Sequence, residues 1–356
     1  MFYWKRLIKA GLLCWEAGGS GARPEGDSMD RGDGIQNLQK MVQAAKMYYQ
    51  EGLTQETIAK KLRTSRPAVS LLLAEARKTG VVQIKIKDPE VNNEELAGQF
   101  QKRFGLKKCL VIPCGIRQED VVLKIVASQA ARFASRMMKS HTTVGTSWGG
   151  SCYEFMQAFP EDTELCNITV VPLVGGSPLL TREFQLIESV REFSEKLRGT
   201  PVVLYSPGFV DTIEDKKRYM GSLYMQSVLE KWRTLDFAVI GVGRPPESYE
   251  AEPGRVTNLL EEINRYPDKA VSDLCARRIN IRGEFIRCNY NDKVIGIEER
   301  DLRSTNQVLA VAVGSSKIFS IIGALNSGIL DYFATDEETA RQVLNVLDSK
   351  VIKALQ

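Results

Sequence analysis

The sequence predicts an α/β protein, with an amino-terminal helix-turn-helix module followed by a doubly wound α/β domain. Three observations carry this reading. Residues 52–73 form two short amphipathic helical patterns joined by a tight turn. From Leu106 onward, apolar runs of strand length alternate with helical stretches. Several of those runs end in glycine-rich loops, which is where open α/β sheets bind ligands.

At the amino end, Phe2-Tyr3-Trp4-Lys5-Arg6 and the run through Leu12-Leu13-Cys14-Trp15 imitate the start of a signal peptide. Lys9 breaks the apolar core, and no run approaches the ~20 residues a membrane helix needs. Gly, Ser and Asp then dominate through Gly34. Residues 1–34 are expected to be a disordered extension, with residues 1–28 upstream of a true start at Met29; a cryptic membrane anchor is the alternative.

Residues 35–88 are expected to form the DNA-binding module. A helix over 38–50 would place Val42, Ala45 and Tyr49 on one face. Thr54 can cap the next helix, whose inner face holds Ile58, Ala59 and Leu62. Ser65 can cap the second, with Pro67 in its first turn, where a missing N–H costs little. Val69 and Leu72 should face inward. Arg66, Pro67, Ala68 and Ser70 are left for a major groove, with Lys60, Lys61 and Arg77 for phosphates. Arg63 holds the turn position that favours glycine; a left-handed conformation there costs roughly 1 kcal/mol. Gly80 stops the helix. The alternation Val81-Val82-Gln83-Ile84-Lys85-Ile86-Lys87 reads as a strand or wing.

Residues 89–105 are a linking segment, with a helix over 94–104 carrying Leu96, Phe100 and Phe104 and closed by Gly105. Residues 106–356 form the effector domain. Its expected strands are 109–113, 143–146, 168–173, 201–205, 237–242, 308–313 and 329–334. Helices are expected over 120–139, 184–197, 220–232 and 337–347.

Charge is unevenly placed. The chain carries +4 overall, yet Ile35 to Asp88 holds ten Lys/Arg against four Asp/Glu. Such a segment suits a polyanion, while the remainder is near neutral. The seven cysteines include no C-x-x-C pair and His141 is the only histidine, so no metal site is expected. Cysteines such as Cys109 and Cys166, beside apolar runs, suit buried thiols in a reducing cytoplasm. No cofactor and no membrane partner is implied.

The strongest chemical signal is Gly145-Thr146-Ser147-Trp148-Gly149-Gly150-Ser151, with a helix from Cys152. Glycines let backbone N–H groups reach an anion, and the helix N-terminus adds positive partial charge. The hydroxyls of Thr146, Ser147 and Ser151 add donors. No Lys-Ser/Thr pair ends the loop, so it is not a nucleotide-hydrolysing P-loop. A tight structural turn is the alternative. Gly175-Gly176-Ser177 and Gly241-Val242-Gly243-Arg244 follow other strands, so Gly175, Gly176 and Gly243 are candidates for a shared crevice. Lys317, after Gly314-Ser315-Ser316, is a candidate cation, and Asp236 could accept sugar hydroxyls or hold a turn.

Together these segments resemble the SorC family (DeoR-like) of bacterial sugar-binding transcriptional regulators. The resemblance rests on residues 52–73, Val144 through Ser151, Leu235-Asp236-Phe237-Ala238-Val239-Ile240-Gly241-Val242-Gly243, and 308–317 leading to Ala334-Thr335-Asp336-Glu337. It spans about 38–350. It implies an effector domain similar to ribose-5-phosphate isomerase and glucosamine-6-phosphate deaminase, a phosphorylated sugar or polyol effector, double-stranded operator DNA, and a dimer or tetramer. Gly145 to Ser151 would hold the phosphate, Gly175 and Gly176 would line the crevice, and Lys317 would reach the ligand. Leu71 stands where the family commonly has arginine, and Val313-Gly314 where it often has Gly-Gly. No cation precedes Gly175-Gly176, which favours a monophosphate over a bisphosphate. The competing expectation is a sugar-phosphate isomerase or deaminase with an accessory helical module. Such chemistry needs a positioned acid/base pair. His141 and the glycine loops offer none that the sequence reveals, so the reading is of a non-enzyme.

Overall fold

The computed structural model describes residues 31–82, 92–161, 163–177, 186–245 and 268–349, with side chains from Leu38 onward. The chain divides into two compact units, Met1–Asp88 and Pro89–Gln356.

The first unit holds helices α1 (Arg31–Tyr49), α2 (Gln55–Lys61) and α3 (Arg66–Lys78). Residues 31–34, assigned above to the extension, belong to α1. The helix is anchored by buried Met41, Ala44 and Ala45, and each further residue adds one hydrogen bond at little cost. Its buried face is therefore offset from the expected one: Val42 is half-buried and Tyr49 exposed. Ile58, Ala59, Val69, Leu73 and Ala76 complete the core, with Leu62 and Leu72 against its edge. Thr54 Oγ1 accepts from the Thr57 N–H at 3.2 Å and Ser65 Oγ from the Ala68 N–H at 3.3 Å. Arg63 takes the left-handed turn, at φ 49°. Of the expected strand 81–87, Val81 and Val82 are not in a strand and the rest lies outside the described residues.

The second unit begins with α4 (Glu94–Phe104), capped by Asn93 and ended by left-handed Gly105 at φ 69°. There follow β1 (Lys108–Ile112), α5 (Glu119–Met137), β2 (Thr143–Thr146), α6 (Gly150–Ala158) and β3 (Thr169–Pro172). Next come α7 (Leu186–Lys196), β4 (Thr200–Pro201), α8 (Ile213–Met220), α9 (Leu223–Arg233) and β5 (Phe237–Gly241). The chain continues through β6 (Ser272–Leu274), β7 (Arg277–Ile279), α10 (Asn289–Asp292), α11 (Glu299–Arg303) and β8 (Val308–Val311). A 3-10 turn (Ser315–Lys317), α12 (Ile318–Asn326), β9 (Tyr332–Asp336) and α13 (Glu337–Asp348) close it. Among the described residues no helix is long and apolar enough to cross a membrane.

Seven strands form one parallel sheet in the order β1-β9-β8-β5-β2-β3-β4. Side chains alternate between two cores. Val111, Val171, Ala238, Ile240, Ala310 and Phe333 meet α4, α9, α12 and α13 on one face. Ile112, Val170, Val239, Val311 and Ala334 meet α5, α6 and α7 on the other. Burial on both faces explains why the strands read as continuous apolar runs.

Both sheet edges are blunted. Asn92 Oδ1 accepts from the Val111 N–H at 2.6 Å, covering β1. Pro201 has no N–H to offer on β4, and the expected strand over 201–205 shortens accordingly. The expected strand 329–334 shifts to Tyr332–Asp336, because Asp331 turns the chain at the amino end of β9: its carboxylate accepts from the Val308 N–H at 2.8 Å. Ser222 caps α9 and splits the expected helix 220–232 from a separate α8. Trp232, fully buried, donates from Nε1 to the Pro172 carbonyl at 2.9 Å and pins α9 to β3. Cys109 is buried as expected, whereas Cys166 is only partly so.

Candidate functional site

From β2 the chain runs outward to β3 and β4, then returns to β5 beside β2 and continues the other way to β8 and β9. The switch point of the sheet therefore lies between the carboxyl ends of β2 and β5, the position where such sheets open a crevice. A cavity of about 400 Å³ sits there. Its lining comes from the loop after β2, the loop after β5, the β6–β7 hairpin and the turn after β8.

The loop after β2 contributes Ser147, Trp148, Gly149, Gly150 and Ser151. Gly149, at φ 111° and ψ 159°, adopts a conformation open only to glycine, and the chain then enters α6 two residues earlier than expected. No side chain caps α6 and its first turn carries no acidic residue. Its first N–H groups have no intrahelical acceptor. Lys317 and Arg244 also line the cavity, so three sources of positive potential converge. Burial is the main cause pushing the Lys317 ammonium below its usual range, opposed by Glu119 and Asp273.

Two carboxylates line the same cavity. Asp273 lies against Gly243, where a Cβ would fall 2.0 Å from its Oδ2, so only glycine admits it. Burial pushes the Asp273 carboxyl up to about 6, against a hydrogen bond from the Ala276 backbone and the charges of Lys317 and Arg278. Glu119 also lies close to Gly314, where a Cβ would fall 2.5 Å from its Cδ. Beneath the loop, buried Cys152 lies 3.5 Å from Ser147 Oγ.

The expected residues divide as follows. Ser147, Gly149, Gly150, Ser151, Gly243 and Lys317 meet at the crevice. Gly145 and Thr146 do not: they are buried in β2, and Gly145 lacks a side chain because a Cβ would fall 2.5 Å from Leu173 Cδ2. Gly175 and Gly176 stand after β3, outside the lining; a Cβ on Gly175 would fall 2.3 Å from the Pro207 carbonyl oxygen. Asp236 is at the opposite end of the sheet and holds a turn. Its Oδ2 accepts from the Thr143 N–H at 2.8 Å.

Glu119, Asp273, Cys275 and Ala276 were not anticipated as lining residues, while Trp148 and Arg244 stood in the expected loops without being named as candidates. Arg244, directly after Gly243, supplies the second cation that the loop at Val174 does not. Glu119 and Asp273 reach the cavity from elements outside the glycine loops, which themselves carry no carboxylate. His141 takes no part; it is exposed in a left-handed turn before β2.

A larger cavity of about 480 Å³ lies beside α13 and shares Glu119. It is a poorer anion site. Asp336 caps α13, accepting from the Thr339 N–H at 2.9 Å, and Glu337 and Glu338 fill the first turn. Lys317→Ala should weaken an anion's hold on the crevice by about tenfold without abolishing it, since the α6 N–H groups remain. Calorimetric titration with a sugar phosphate checks this.

In the first unit, Lys60, Lys61, Arg66, Pro67, Ser70 and Arg77 are exposed, whereas Ala68 is half-buried and offers less to a groove than expected. Lys60 makes a solvent-exposed pair with Glu56 at 3.6 Å, worth little in water. Leu71 is 69% exposed on the same helix. Among the described residues no cluster of His, Cys, Asp and Glu is placed to hold a metal ion.

Residues 88–345 match the family described as "Putative sugar-binding domain". The Deoxyribonucleoside regulator of Bacillus subtilis is 29% identical over 90% of this chain and its own full length. The Sorbitol operon regulator of Klebsiella pneumoniae is 25% identical, over 86% of this chain and 98% of the relative. The crystal structure of the full-length Klebsiella regulator SorC aligns with a TM-score of 0.65 at 24% identity, covering 90% of this chain and all of that one.

Proposed function

The chain belongs to the sugar-binding domain family of SorC/DeoR-type transcriptional regulators, and from that premise we propose that it binds operator DNA under the control of a phosphorylated sugar or polyol. The observation that carries the effector reading is the uncapped N-terminus of α6 facing Lys317 and Arg244. This arrangement favours a phosphate over a neutral group. Asp273 and Glu119 supply acceptors for hydroxyls on the rest of the ligand. Gly145, Thr146, Gly175 and Gly176 shape the sheet around the site, and Asp236 has no part in it.

The first unit supplies the helix-turn-helix reader. Thr54 and Ser65 cap its two helices, and Arg66 and Ser70 sit on the exposed side of α3 near its N-terminus, the end that meets base edges in such readers. Leu71 suits the methyl of a thymine rather than a guanine edge. A ligand shifts operator occupancy only by its differential affinity for the DNA-competent and DNA-incompetent states. Titrating operator complexes with a panel of sugar phosphates tests the whole reading; no ligand in the panel altering DNA affinity, with the protein folded, counts against it. Arg66→Ala should lower affinity for the footprinted site by roughly 1–3 kcal/mol, with non-specific binding little changed. Fluorescence anisotropy on specific and scrambled duplexes measures both.

The convergence of Asp273, Glu119 and Lys317 supports a second reading, an isomerase or deaminase of the same substrate class. These are the groups proton transfer at a sugar carbonyl would use. Turnover of ribose 5-phosphate or glucosamine 6-phosphate by the purified protein would establish it; binding without turnover sets it aside.

A further inference from the structure

The covalent path from the second unit back to the reader begins at Asn92 and Asn93, the first described residues after Asp88. Both are fastened to the carboxyl half of β1. The Asn93 N–H donates to the Val111 carbonyl at 2.8 Å, and Asn92 Oδ1 accepts from the Val111 N–H at 2.6 Å. The crevice also opens at the carboxyl ends of the strands. The joint and the crevice therefore share one end of the sheet.

A short run of direct contacts connects them. Gly314 opens the turn that carries Lys317, and its N–H donates to Thr339 Oγ1 at 2.8 Å. The Thr339 hydroxyl donates in turn to Asp336, the last residue of β9. Thr335 and Asp336 stand opposite Val111 and Ile112 of β1. Val111 holds both asparagines. On this path Thr335 Oγ1 is buried and has no hydrogen-bond partner among the described residues. A hydroxyl left unpaired in one arrangement is a group that a shifted arrangement can satisfy. The far end of α4 is tied elsewhere. Arg103 pairs with Asp348 at 2.8 Å and donates to the Leu347 carbonyl at 3.1 Å, and neither of these residues lines the crevice.

We propose that effector binding reaches the DNA-reading unit through Thr339 and the joint of Asn92 and Asn93 with Val111, an inference that rests on the sugar-phosphate reading above. An anion drawn to Lys317 shifts its turn. Gly314 carries the shift to Thr339 and Asp336, and β9 passes it to β1 and the asparagines fastened there. Thr339 and Asn92 act through other residues, so they are positioning residues. Coupling of this kind requires an element whose two arrangements both sites bias.

The test is operator affinity of the full chain by fluorescence anisotropy, with and without saturating ribose 5-phosphate, fructose 6-phosphate or glucosamine 6-phosphate. The probe with the largest effect on the wild type, expected at about tenfold or more, is carried to the variants. Thr339→Val and Asn92→Ala should each reduce that factor to within about twofold of unity. Calorimetry without DNA should give each variant a probe affinity within about twofold of the wild type. Arg103→Ala, which frees the far end of α4, should keep the wild-type factor. Thr339→Val leaves the Gly314 N–H unpaired; should it fail to fold, Asn92→Ala at a half-buried position carries the test. If either folded variant responds like the wild type, or if Arg103→Ala removes the response, the proposal is overturned and the sugar-phosphate reading stands. A variant that loses affinity for the probe itself also overturns it, because its residue would then belong to the site. If no probe alters operator affinity of the wild type, the sugar-phosphate reading fails and this inference fails with it.

Discussion

On the function proposed above, Gly150→Asp is expected to abolish the response to a sugar phosphate while leaving the fold and operator binding in place. Gly150 lines the crevice in the first turn of α6. Its φ lies outside the left-handed region, and a Cβ there would meet only Leu123 Cδ2, at 3.7 Å, an ordinary contact. An aspartate would therefore fit, and its carboxylate would sit on the N–H groups proposed to hold a phosphate. It also favours the helix N-terminus, so stability should hold or rise slightly. The anion would then meet a fixed like charge, and affinity should fall on the order of 100-fold. Gly149 is the worse position for this experiment: at φ 111° any side chain is strained, and a loss of response would not separate charge from backbone. Thermal shift with the ligand is the direct measurement. A stabilisation of about 2.7 kcal/mol at 100 times the dissociation constant should vanish in the variant. If Gly150→Asp is stabilised as strongly as the wild type, the phosphate is held elsewhere.

Arg277→Ala is expected to destabilise the second unit by roughly 3–5 kcal/mol, the usual consequence of stripping one partner from a buried charge network. Arg277 is 6% exposed. Its guanidinium donates to the carbonyls of Ile297 at 2.8 Å, Asn291 at 3.0 Å and Gly296 at 3.1 Å, and pairs with Glu298 at 2.9 Å. Truncation leaves three carbonyls short of a donor and Glu298 with Lys216, at 3.1 Å, as its one cation among the described residues. Arg277→Lys should recover little, because an ammonium cannot reproduce the planar fork. A lower urea midpoint at unchanged slope measures the cost. The effect reaches the crevice, because Arg277 begins the strand just after Asp273, Cys275 and Ala276. The variant should therefore bind a sugar phosphate more weakly even below its melting temperature.

What the sequence showed and missed follows from the range of each interaction. Thr54, Ser65, Pro67, Arg63 and Gly105 were readable because a cap or a left-handed turn involves residues two to four apart. The apolar runs of the parallel strands were readable because burial on both faces removes alternation. The β6–β7 hairpin was missed. Cys275 and Ala276 take its turn at φ 50° and 66° without the glycine or asparagine that marks one. With it went Asp273, which only the bridge to Gly243 places in the crevice. Asp236 stayed open in the sequence between a ligand contact and a turn, because a carboxylate at a strand's start and one at its end look alike in sequence; the structure puts it in the turn.

The sequence by itself determined the helical module, the α/β class and the glycine-rich loop that ends β2, since each is written in local spacing and side-chain type. Only the tertiary structure decided the strand order that sets β2 beside β5. It also decided that Arg244, Lys317, Asp273 and Glu119 share one cavity and that Gly145 serves Leu173 rather than a ligand. Those groups are separated by up to two hundred positions along the chain. They meet because two cores must close on both faces of one sheet, a condition that no local pattern records.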